Sequence, residues 1–175
     1  MKYHILTFGC QMNVYDTNRL ERFLASSGYE PAEGEEDSDL LVLNTCAIRD
    51  SAESRVYGTL GRLAHYKKEN PKRQIAVMGC MAQKEGERIA KKAKVVDVVA
   101  GTHAIPLIPG MLSDAASGKG PQVNISKSAE HLFDEPENVA SLTEVNRYPV
   151  FSSIMQGCSK VCSFCVVPYT RGIEV

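Results

Sequence analysis

Opposite charges almost cancel in this sequence. Twenty Lys and Arg stand against 21 Asp and Glu, leaving a net charge of −1 over 175 residues. The broad basic surface that marks non-specific nucleic-acid binding is therefore missing in bulk. Long apolar runs are missing too, and none approaches the roughly 20 residues a membrane-spanning helix needs. Met1-Lys2-Tyr3-His4-Ile5 leads into a short apolar stretch ended by Gly9-Cys10, which lacks the pattern of a secretory leader. The four histidines, His4, His65, His103 and His131, show no ligand spacing and are expected to be structural or exposed. These absences lead us to expect a soluble, cytosolic protein with no membrane partner.

Apolar residues make up 43% of the chain and charged residues 23%, enough for a packed core. The length suits one ordinary domain with something left over. Six cysteines could pair as disulfides in 15 ways. A cytosolic chain of this size needs none, so metal binding is the better reading of all six.

Three of them form Cys158-Ser159-Lys160-Val161-Cys162-Ser163-Phe164-Cys165, a C-x3-C-x2-C spacing. Closely spaced thiolates suit iron–sulfur clusters and zinc. Structural zinc sites are closed by four protein ligands, and no His or fourth Cys follows before Val175. A cubane held by three cysteines leaves one iron free to bind something else. A zinc knuckle remains the plain alternative at this point.

The other three cysteines share a different pattern. Ile5 to Cys10, Leu40 to Cys46 and Ile75 to Cys80 are each a short apolar run ending in Cys. Such runs read as strands buried on both faces. A helical pattern follows each at an interval of about 35 residues, the size of a βα unit. Asn13 or Asp16 is a candidate cap for the first helix, with Leu20, Phe23 and Leu24 inward and Gly28 at its end. Asp50 or Ser51 opens the second, with Glu53 placed for a capping box and Val56, Leu60, Leu63 and Ala64 inward. The third is expected over 83–92, with Ile89, Ala90 and Ala93 inward. A fourth strand is expected over 95–99, and a weaker helix over 102–112, where Pro106 and Pro109 intervene. The expected fold class is α/β, a parallel sheet with helices on both faces. Cys10, Cys46 and Cys80 would then meet at the carboxyl edge, where open α/β sheets bind ligands. A lone buried Cys is usually only a small core residue; three at one topological place carry more weight.

Composition changes after Ser113. We expect a domain over 1–117, a linker over 118–147 and the start of a second domain over 148–175. Tyr148 to Met155 reads as a strand delivering the C-x3-C-x2-C loop, without the rest of its sheet, so the chain is expected to be a piece of a longer one. That tail is expected to be mobile, to lie against the first domain, or to pair with another copy. The acidic run Glu33 to Asp39 reads as a solvated loop. Asn13, Asn44 and Thr45 beside the cysteines are candidate hydrogen-bond donors to sulfur, with capping and turn roles as alternatives. Arg49 and Arg171 face either phosphate or a surface carboxylate. Lys67, Lys68, Lys72 and Arg73, with Lys91, Lys92 and Lys94, read as solvated helix ends.

Taken together, Phe8-Gly9-Cys10-Gln11-Met12-Asn13, Leu43-Asn44-Thr45-Cys46-Ala47-Ile48-Arg49, Val77-Met78-Gly79-Cys80 and Gly157-Cys158 through Gly172 resemble the radical SAM methylthiotransferases. Cys-Gln-Met-Asn and Val-Pro-Tyr-Thr-Arg-Gly favour the branch acting on an isopentenyl-modified adenosine of tRNA. Branches acting on threonylcarbamoyladenosine or a ribosomal protein are the alternatives, as is a non-catalytic iron–sulfur electron-transfer module. The resemblance implies a flavodoxin-like first domain, a radical SAM barrel of which only the first strand and cluster loop would be present, and an absent RNA-binding domain. It implies two 4Fe–4S clusters as cofactors, one on Cys158, Cys162 and Cys165 and one on Cys10, Cys46 and Cys80. The first would reduce S-adenosylmethionine, with Phe164 near its adenine, to give a 5′-deoxyadenosyl radical. The second would carry the sulfur that is methylated and transferred. Implied partners are the tRNA anticodon loop, a reductant such as flavodoxin or ferredoxin, and a sulfur donor. The piece alone is expected to be inactive.

Overall fold

The structure is a computed structural model of the chain. It describes residues 1–47, 50–128, 130, 132–136 and 153–175, with backbone only for 50–54. Arg49, His131 and the greater part of the expected strand over 148–155 lie outside the described residues, as do the capping roles expected of Asp50, Ser51 and Glu53.

The three apolar runs form β1 (Lys2–Thr7), β3 (Leu40–Thr45) and β4 (Gln74–Gly79), and every residue of β3 and β4 is buried. Between them run α1 (Gln11–Ser26), the two-residue β2 (Glu30–Pro31) and α2 (Asp50–Glu69). Then come α3 (Cys80–Lys92), β5 (Val98–Ala100), a 3₁₀ turn at Ile105–Leu107, α4 (Ile108–Asp114) and β6 (Gln122–Asn124). A short α5 (Val167–Arg171) lies in the tail. The strands form one sheet in the order β2-β1-β3-β4-β5-β6, and every pair is parallel. Its first five positions follow the flavodoxin-like order, with the switch in direction between β1 and β3.

Alternation along each strand sends side chains to opposite faces. Leu40, Val42, Ala76 and Met78 pack with Leu20, Phe23 and Leu24 of α1 and Ile108 and Leu112 of α4. Leu41, Leu43, Ile75 and Val77 pack with Val56, Leu60 and Leu63 of α2 and Met81 and Ile89 of α3. The sheet is therefore covered on both faces, as expected from its continuous apolar strands. Among the described residues, no helix is long and apolar enough to cross a membrane.

Several local expectations are corrected. Helix α1 starts before Asn13 and Asp16, with Cys10 at its N-cap; Asn13 takes part in the cap only as N3, its side chain accepting from the Cys10 backbone N–H, and Asp16 takes no part. Helix α3 starts three residues earlier than expected, at Cys80. The helix expected over 102–112 is a 3₁₀ turn followed by α4, each with its proline in the first turn, where the missing N–H costs nothing. The stretch read as linker contains β6, which pairs with β5 through Val98↔Gln122 and Ala100↔Asn124. The acidic run is the surface loop expected, and it carries exposed ion pairs: Asp37 meets Lys2 Nζ at 2.8 Å, and Glu35 takes a bidentate pair from Arg62. Lys67 is no free helix end, since its ammonium sits 2.5 Å from Asp97 Oδ1.

Candidate functional site

Because the sheet is parallel, the carboxyl ends of β1, β3 and β4 lie side by side. Cys10 follows β1 as the N-cap of α1, Cys46 follows β3 directly, and Cys80 opens α3 directly after β4. All three therefore stand on one edge, and Cys10 and Cys46 flank the switch point. Cys10 is exposed, whereas Cys46 and Cys80 are only 4% and 6% exposed. All six cysteines are free thiols. Among the described residues, no three His, Cys, Asp or Glu side chains are gathered to hold a metal ion.

A buried amide pair holds this edge together. Asn13 Nδ2 donates to Asn44 Oδ1 at 2.9 Å and to the Thr45 carbonyl at 3.1 Å. Asn44 Nδ2 returns bonds to the Asn13 carbonyl at 2.7 Å and to Thr17 Oγ1 at 2.9 Å. Asn13 Oδ1 accepts from the Cys10 backbone N–H at 3.3 Å and from its thiol at 3.6 Å. The donors and acceptors around it leave one orientation for the Asn13 amide. Asn13 thus touches a cysteine sulfur as an acceptor. Asn44 bonds Asn13 and Thr17, and Thr45 Oγ1 donates to the Met78 carbonyl at 2.6 Å. Close backbone approach tightens the edge further: a Cβ on Gly9 would lie 2.3 Å from Asn13 Oδ1 and 3.1 Å from Cys46 Cβ.

The second triad lies on a loop docked beside the first. Gln156 and Val175 exchange backbone hydrogen bonds at 3.1 and 2.9 Å, and Cys158 N–H donates to the Gly172 carbonyl at 3.1 Å. Within this closed loop, Cys165 N–H bonds the Cys162 carbonyl at 3.1 Å. Cys162 is exposed, and Cys158 and Cys165 are half-buried. Phe164 is 94% exposed. Of the arrangements expected for the tail, its described part takes the one against the first domain.

Arg171 makes that contact. Its Nη1 meets Asp16 Oδ1 at 3.0 Å and its Nη2 meets Oδ2 at 2.5 Å, with side-chain exposures of 6% and 3%. Helix α5 also packs on α3, whose first residue is Cys80. Burial works against the Arg171 charge, but the Asp16 carboxylate outweighs it and holds the guanidinium cationic. Burial pushes the Cys80 thiol up, opposed by Arg171. Arg171 therefore faces neither phosphate nor a surface carboxylate. The sequence does not reveal Asp16 and His103 as partners of the tail: an isolated Asp near a helix start looks like a cap, and its cation stands 155 positions away.

Thr102 Oγ1 donates to the Thr170 carbonyl at 2.6 Å, and the buried His103 ring lies 3.3 Å from where a Gly172 Cβ would stand. Burial lowers the pKa of His103, and the charges of Arg171, Lys127 and Arg19 lower it further. The unfolded or undocked state then binds the proton more readily than the docked one, so docking is fully stable above the ordinary histidine value of about 6.5 and weakens as pH falls below it. Exchange of the Thr170 amide, corrected for intrinsic rates, is expected to accelerate on acidification from pH 7 to 5. His103→Gln should flatten that dependence; an unchanged slope would assign the effect elsewhere.

The fold and site together define a class: a doubly wound α/β domain with one cysteine triad at its ligand-binding edge and a second on an appended loop. A family model described as "Uncharacterized protein family UPF0004" matches residues 2–101. The chain belongs to this family. It is 46% identical over 174 residues to a tRNA-2-methylthio-N(6)-dimethylallyladenosine synthase of Mycobacterium avium (strain 104), covering 99% of this chain and 24% of the relative. Proteins of the same name from Sorangium cellulosum (strain So ce56) and Aeromonas salmonicida (strain A449) are 42% and 46% identical over 177 residues, each covering 99% of this chain and 36% of the relative. The chain thus spans between a quarter and somewhat over a third of the length of these curated relatives.

Proposed function

We propose that this chain is the N-terminal part of a tRNA methylthiotransferase, acting on an isopentenyl-modified adenosine next to the anticodon. Residues 1–117, together with β6, are its first domain, and 148–175 open a radical SAM barrel. The observation that carries this reading is the pairing of two three-cysteine sets, one at the switch-point edge and one on a loop pinned beside it. The names of the relatives supply the tRNA substrate.

By number and type of donor, two sets of three thiols suit two 4Fe–4S clusters. A single zinc ion asks all its thiolates to meet about 2.3 Å from one point, whereas a cubane takes each thiolate on a different iron. Thiolates spread over three adjacent strand ends suit the second arrangement. Cys10, Cys46 and Cys80 would hold one cluster and Cys158, Cys162 and Cys165 the other. Bound there with S-adenosylmethionine, the clusters would supply the radical and sulfur chemistry that no side chain provides.

The chain's own residues do the positioning. Asn13 and Asn44 lock the backbone at Cys10 and Thr45, so two thiols approach from fixed directions. The buried walls around Cys46 and Cys80 limit water. Phe164 is free to cover an adenine. A reductant, a sulfur donor and the tRNA complete the reaction, and this stretch alone is expected to hold clusters without turnover.

Two substitutions in the full-length enzyme test the division of labour. Cys10→Ala is expected to abolish methylthiolation while S-adenosylmethionine is still cleaved. Cys162→Ala should abolish both. Iron counting and Mössbauer spectra should show half the iron in each. Equal loss of cleavage in the two variants would mean a single shared cluster, and methylthiolation surviving Cys10→Ala would remove the proposed role of the edge triad.

A further inference from the structure

We propose that Arg171 is a positioning residue for the second cysteine triad: it latches the C-x3-C-x2-C segment onto α1, the helix capped by Cys10, through Asp16. The latch does not rest on the functional reading above.

The geometry is specific. A guanidinium presents five N–H donors in a rigid fork. Two nitrogens engage the two oxygens of Asp16 at 3.0 and 2.5 Å, which fixes the plane of the group. Lysine, a point charge on a flexible stem, cannot engage both carboxylate oxygens in this fixed plane. Asp16 projects from α1, the helix capped by Cys10, and Cys80 is the first residue of α3. Arg171 itself ends α5, directly before the Gly172 carbonyl that receives the Cys158 N–H. One side chain therefore ties the helix that starts at Cys10 to the segment holding the backbone partner of Cys158.

Two buried charges are costly to bring out of water, and leaving one without the other costs more than removing both. This argues against an incidental contact.

The latch is tested on the metal-free chain by amide exchange. Arg171→Met and Asp16→Asn should each accelerate exchange of the Thr170 and Arg171 amides by at least about tenfold. The double variant should be no faster than the singles, as expected of one coupled pair. Amides of Leu41–Leu43 and Ile75–Val77 should stay protected, showing an intact sheet. Additive effects, or singles within about twofold of wild type, would overturn the latch. If the unsubstituted chain takes up no cluster at all, the functional reading falls, and the latch is decided by exchange alone.

Discussion

Replacing Gly79 with alanine is expected to remove a large part of the stability of this domain and to disorder the cysteine edge. Gly79 ends β4 and caps α3, with φ 96° and ψ −162°, a region that essentially only glycine occupies. A Cβ there would lie 2.5 Å from the Thr45 carbonyl and 2.6 Å from Asn44 Oδ1. The first is backbone of the neighbouring central strand, locked by the Leu43↔Val77 and Thr45↔Gly79 register. The second belongs to the amide pair that holds Cys10. Backbone strain of about 1–3 kcal/mol and overpacking of about 1–3 kcal/mol add to roughly 2–6 kcal/mol. A domain of this kind has about 5–15 kcal/mol in total. Urea unfolding of the metal-free chain should show the midpoint fall with the slope unchanged. A loss below about 1 kcal/mol would mean that the edge yields where the geometry says it is fixed.

The same position shows what was legible in the sequence. Leu40 to Leu43 and Ile75 to Met78 announce buried parallel strands because both faces of each are covered, and the Cys after each run marks the carboxyl edge. The αβ order and the placement of Cys10, Cys46 and Cys80 on one edge of the sheet follow from such runs. Helix starts were less legible. Cysteine is no N-cap signal, so the sequence points to Asn13 or Asp16 for the start of α1 and to Gln83 for that of α3. The two-residue β2 and three-residue β6 carry no periodicity, because they are edge strands held by their neighbours. The Asp16–Arg171 pair was illegible for a different reason. Nothing local distinguishes a capping aspartate from one waiting for a cation that the chain delivers at its other end. Prolines misled in the opposite sense: Pro106 and Pro109 weakened a helical reading, although each stands in a first turn, where it is tolerated.

Iron loss from the reconstituted chain is expected to occur in two phases of equal amplitude, the faster from the loop triad. Cys46 and Cys80 sit at the ends of central strands, buried and backed by the Asn13–Asn44 pair. Only Cys10 of that set is exposed. The loop triad has no such wall: Cys162 is exposed, and Val161 and Phe164 beside it are 97% and 94% exposed. Loss of a cluster requires access of solvent or chelator to the thiolate–iron bonds, and burial controls that access. A chelator under anaerobic conditions should therefore strip the loop first and the edge later. Cys162→Ala is expected to remove the fast phase and Cys46→Ala the slow one, each with half the total iron. Arg171→Met should accelerate the slow phase as well, because it frees the tail that lies over Cys80. A single phase in the unsubstituted chain, or a slow phase that survives Cys46→Ala, would show that burial at the strand ends does not protect the cluster proposed there.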